Sequence, residues 1–115
     1  MVEQIDATAE HNDHDSLIER YLEARGKSRD LYIGDYQEYN LASAQEHEAW
    51  KKIVESVAAK IIAAESAQER ADIIETDAHV IVSRTSTRED YWPHRAIFLG
   101  SVVIATAELA SRQNS

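Results

Sequence analysis

An all-α fold follows from three features of this 115-residue chain. One Pro and three Gly are too few for the dense turns of a sandwich or barrel. Ala, Glu, Ile and Gln are abundant, a composition that suits helices. Apolar residues also recur at spacings of three and four over much of the sequence. The expectation is a compact bundle of about four helices, at roughly 16–25, 44–64, 67–83 and 93–111. They would form a single helical domain, 15–115, behind a flexible acidic arm, 1–14.

The arm is polar, acidic and aperiodic. After it, Leu17, Ile18, Tyr21 and Leu22 share one face of a short helix, and Gly26 reads as its stop signal. The next stretch, KSRDLYIGDYQEYN, has no clear period and reads as an irregular connector. From Ser43 the signal is strong. Trp50, Ile53, Val54, Val57, Ile61 and Ala64 lie on one stripe, with Lys51, Lys52, Glu55 and Lys60 elsewhere on the wheel. A third helix continues with Ala71, Ile74, Ala78 and Ile81. Its β-branched end, HVIVSRTST, leaves an α+β alternative with a short hairpin from 79–84 and 96–105. Pro93 suits the first helical position of the last helix, and the segment after it is apolar on nearly every side. That makes it the expected most buried helix, with Trp92 anchoring it to the core.

The tetrapeptide Ser-Ala-Gln-Glu occurs twice, at Ser43–Glu46 and Ser66–Glu69. At the common offset of 23 the following residues agree only at Val57 and Val80, so the pair is no duplicated unit. Both copies read as capping boxes, in which the Ser hydroxyl accepts from the N3 N–H and the Glu reaches back to the helix start. A third Ser-x-x-Glu, Ser86 to Glu89, precedes the last helix.

Composition narrows the function. A net charge of −9 disfavours binding to a nucleic-acid backbone, because phosphate contacts need clustered Lys and Arg. With no Cys there is no thiol catalysis, disulfide or cysteine-ligated zinc. The longest apolar run, AIFLGSVVIATAELA, is shorter than a membrane span. The N-terminus carries acids where a leader needs basic and then apolar residues, so a cytoplasmic, soluble protein is expected. No Gly-rich phosphate loop or nucleophile elbow is present.

The residues best suited to binding are Asp30, Tyr32, Asp35, Tyr36, Glu38 and Tyr39. Tyrosine gives large contact area with a polar tip, and interleaved acids meet Lys and Arg on a basic partner. On the third helix, Asp72, Glu75 and His79 share a face and form an alternative Mg²⁺ site. Glu69-x-x-Asp72 resembles half of the magnesium site of all-α nucleotide pyrophosphatases, which is built from Glu-x-x-Glu and Glu-x-x-Asp pairs. That likeness implies a metal-dependent nucleotide pyrophosphatase or nucleotide-binding protein, but this chain has no Glu-x-x-Glu for the other half. His94 and Arg95, at the start of the last helix, are an alternative anion site.

With no complete catalytic set and no cofactor implied, the favoured expectation is a small acidic interaction protein that masks a basic surface of a larger protein. Inhibitors, immunity proteins, antitoxins and phage counter-defence factors are of this kind, some by imitating nucleic-acid charge. A homo-oligomer through the 93–111 helix would bury that helix's apolar surround.

Overall fold

The computed structural model describes the backbone of residues 2–30 and 36–113, and the side chains of 14–30 and 37–113. Among them the chain is all-α, with four helices: α1 (Val2–Asp30), α2 (Tyr36–Ala63), α3 (Ala67–Thr85) and α4 (Tyr91–Gln113). The segments of the alternative hairpin, 79–84 and 96–105, are both helical. Ala78, Ile81, Val82 and Thr85 are buried at helical spacing, so packing overrides the strand preference of the β-branched residues around them. The helices group into two compact units, Met1–Ile53 and Val54–Ser115, the division falling within α2.

In the first unit, α1 buries Ile18, Tyr21, Ala24 and Ser28 along one stripe. The stripe continues past exposed Gly26 to Ser28, so Gly26 does not end the helix as expected. A glycine stops a helix by taking positive φ, and no described glycine does so. The segment 1–14, expected as a flexible arm, has its side chains outside the described residues except for His14; its backbone from Val2 belongs to α1.

α2 also starts earlier than the predicted residue 44. Its inward stripe already includes half-buried Tyr39 and buried Ala42, and runs on through Trp50 to buried Ile53. The Tyr21 and Trp50 rings meet with centroids 5.0 Å apart, tying α1 to α2 within this unit, and the Arg25 guanidinium lies 5.3 Å from the Tyr21 ring centre. Ser43 lies inside α2 and caps nothing, which overturns the first capping box.

In the second unit, Val54, Val57, Ala58 and Ile61 of α2 are buried, as are Phe98 and Val102 of α4. Phe98 is fully buried and by itself contributes about 2–3 kcal/mol of transfer free energy. Lys60 reaches Asp77 at 3.1 Å, joining α2 to α3.

The helix break at Ala64–Glu65 has a clear physical origin. Had α2 continued, its stripe would pass from Ile61 through Glu65, Gln68, Asp72 and Glu75, placing acids on the core face. Instead Ser66 takes an extended conformation (φ −137°, ψ 159°), and its hydroxyl accepts from the Glu69 N–H at 3.0 Å. The Glu69 carboxylate accepts from the Glu65 N–H at 2.7 Å, one residue before the cap. Arg70 donates to the Ala64 carbonyl at 3.4 Å, covering the end of α2. The second copy of the tetrapeptide is a working cap.

The third Ser-x-x-Glu is displaced by one residue. Ser86 closes α3, its N–H donating to the Val82 carbonyl at 3.0 Å. Thr87 and Asp90 form the reciprocal pair instead: the Thr87 hydroxyl donates to the Asp90 carboxylate at 2.9 Å and accepts from the Asp90 N–H at 3.2 Å. The His94 N–H donates to the Asp90 carbonyl at 2.9 Å, the first hydrogen bond of α4. Pro93 is thus the third helical residue, not the first, still within the turn whose N–H groups have no helical acceptor.

α4 departs most from expectation. It buries only Phe98 and Val102, so it is not the most buried helix of the chain. Trp92 is 70% exposed, and Ile97, Val103 and Ile104 are 63%, 68% and 62% exposed. No described helix is long and apolar enough to cross a membrane.

Candidate functional site

The corner between α3 and α4 is built by side chains that hold one another in place. The Thr87–Asp90 pair sets the entry angle of α4 and puts Tyr91 beside α3. The Tyr91 hydroxyl lies 3.0 Å from His79 Nδ1, with the two rings edge to face at 5.9 Å. One turn along, Thr85 is buried and its hydroxyl donates to the Ile81 carbonyl at 2.8 Å. That bond uses its single proton, so the 2.9 Å contact with His94 Nε2 is one in which His94 donates.

Tyr91 rather than Trp92 therefore fastens α4 to α3, which corrects the expected anchor. Trp92 points outward, its ring 5.1 Å from Tyr91 at 89°. The Arg95 guanidinium lies 5.8 Å from the Trp92 ring centre and 3.7 Å from the Glu75 carboxylate. Trp92 is an exposed aromatic braced on two sides, the character of an interface anchor. An open hollow of about 550 Å³ lies beside it, lined by His79, Ser83, Ser86, Thr87, Arg88, Tyr91 and Trp92.

From Trp92 an uncharged strip runs along α4 through Ala96, Ile97, Gly100, Val103, Ile104 and Ala107, all exposed. At 100° per residue these positions cover an arc of roughly 140°. Large residues stand on both flanks, and small ones lie between them. An added methyl at Gly100 would meet nothing within 4 Å. An exposed apolar strip of this kind is a candidate contact surface.

The six expected binding residues are placed unevenly. Asp30 ends α1 and is exposed, Glu38 is exposed in the first turn of α2, and Tyr39 is half-buried on the α2 stripe. Tyr36 opens α2, with its side chain outside the described residues, and Tyr32 and Asp35 lie wholly outside them. The Mg²⁺ alternative finds its members separately engaged. Asp72 accepts from Gln68 at 2.9 Å, Glu75 pairs with Arg95, and His79 meets Tyr91. Among the described residues no three metal-ligating side chains converge. The anion alternative, His94 and Arg95, is likewise engaged by Thr85, Glu75 and Trp92, with Glu89 and Asp90 adding negative charge at the same helix start.

Sequence reasoning expected an apolar surround on the last helix but not its outward strip, and it missed a second hollow of about 310 Å³ in the first unit, lined by Leu17, Ala24 and Ala49 together with Arg20, Lys27 and Lys52 and the acids Glu23 and Glu48. The strip had a visible signal. The segment 96–107 is apolar around more of the wheel than one neighbouring helix can cover, with Ala96, Gly100 and Ala107 on one side of it. No known protein family, curated protein or solved structure matches this chain.

Proposed function

We propose that the protein is a small acidic interaction protein that docks on a larger protein and masks a basic surface there, in the manner of an inhibitor, immunity or antitoxin-type factor. One observation carries this reading: acids outnumber bases on three helices and not on the fourth. α1 holds eight acids against four bases, α2 four against three and α3 four against two, with Glu19, Glu23, Asp30, Glu38, Glu48, Asp72 and Glu75 exposed, whereas α4 has one acid, Glu108, against Arg95 and Arg112. Such acidic faces raise the encounter rate with a basic partner and select against acidic ones. Surface ion pairs such as Glu23–Lys27, at 3.8 Å and largely exposed, hold little of that charge back.

The test is affinity capture at low and high salt, comparing the natural chain with an Asp30→Lys/Asp35→Lys/Glu38→Lys variant. One stoichiometric basic protein should be retained by the natural chain, released by salt and lost on charge reversal. Equal recovery by both chains, or recovery indifferent to salt, removes this reading.

A further inference from the structure

We infer that α4 pairs with α4 of a second copy of this chain, antiparallel, about a two-fold axis beside Gly100. The occupant follows from the symmetry of the strip. Gly100 lies at its centre both along the helix and around it. Ile97 and Val103 stand three residues to either side of it, and Ala96 and Ile104 four to either side. A two-fold interface must be complementary to itself, and a strip whose apolar positions mirror about its midpoint meets that requirement. Small residues at the centre let the two backbones approach, as Gly and Ala do at close helix crossings. On one flank Ile97 of each copy then meets Ile104 of the other, and on the opposite flank Trp92 comes over Ala107.

Charge selects the direction. Arg88, Glu89 and Asp90, just before α4, sum to one negative charge, and Arg112 stands in its last turn. Antiparallel pairing about Gly100 sets Glu89 level with Arg112 of the other copy, with Glu108 one turn nearer the axis, and opposes the helix dipoles favourably, whereas parallel pairing would stack like ends. α4 is also the one helix in which Lys and Arg outnumber Asp and Glu, so the net charge of −9 offers least local opposition here. The pairing uses none of the acidic faces, so it stands or falls separately from the masking of a basic partner.

Sedimentation equilibrium of the full chain from about 1 to 100 µM measures the pairing. The expected mass is twice 13.0 kDa, and it should persist at about 0.5 M salt, where masking of a basic partner fails. Ile104→Glu should raise the dissociation constant at least about tenfold while circular dichroism and thermal unfolding keep the helical fold, because Ile104 is exposed in the single chain. Gly100→Ala should stabilise the helix yet weaken pairing, whereas Gly26→Ala should stabilise without changing it. Arg112→Glu should weaken pairing, and adding Glu89→Arg should restore it. A monomer throughout, a larger assembly, or a dimer indifferent to Ile104→Glu overturns the inference. Failure of the double reversal to restore pairing overturns the antiparallel register.

Discussion

Ser-Ala-Gln-Glu has opposite roles in its two positions. At Ser66–Glu69 it starts a helix, with both side chains of the capping box engaged. At Ser43–Glu46 the same four residues lie inside α2. The difference lies in the apolar phase on either side. Tyr39, Ala42, Trp50 and Ile53 keep one stripe through the first copy, so nothing is gained by breaking the helix there. At the second copy the stripe of α2 would run into Glu65, Gln68, Asp72 and Glu75. A break there lets α3 restart with Ala78, Ile81 and Val82 facing inward. A capping box acts as a cap only where the burial pattern asks for a new helix.

Proline at the second residue of each copy gives the widest separation. Ala44→Pro removes an interior N–H and crowds the preceding turn, and should cost about 3 kcal/mol or more. Ala67→Pro falls at the first position of α3, behind a residue already extended, and should change stability by less than about 1 kcal/mol. Denaturant melts of both variants settle the contrast, and equal losses would break it. Next in size, Ser66→Ala should cost about 1 kcal/mol through loss of the cap, while Ser43→Ala should be neutral or slightly stabilising because Ala is the better helix former. The smallest separation is between Glu69→Ala, which frees the Glu65 N–H at about 0.5 kcal/mol, and Glu46→Ala, for which no loss is expected. A stability change at Glu46 matching that at Glu69 would mean that both copies act alike.

The same argument explains how much of the molecule was legible beforehand. Helix existence was plain wherever a stripe was long, as from Trp50 to Ile61 and from Ala78 to Ile81. The end of α1 and the start of α2 were not, because Gly26 and Ser43 are stop or start residues only when the backbone around them leaves the helix, whereas the ends of α3 and α4 were read to within two residues. The Thr87–Asp90 pair was hidden by the adjacent Ser86–Glu89, one residue out of register. Around Trp92 the sequence carried the right residues with the wrong direction. All-round apolarity indicates that a helix wants cover, but cannot say whether the cover comes from its own chain. Tyr91, able to reach His79 with its hydroxyl, took the anchoring place and left Trp92 outside.

The two tryptophans also divide the molecule optically. Trp50 is half-buried against Tyr21 in the first unit, and Trp92 is largely open in the second. As the chain has only these two, each unit carries its own fluorophore, each with a tyrosine ring about 5 Å away, one partly shielded and one open to aqueous quenchers. Replacing either by Phe leaves a single emitter, so the melting of each half can be followed by its own colour and quenching.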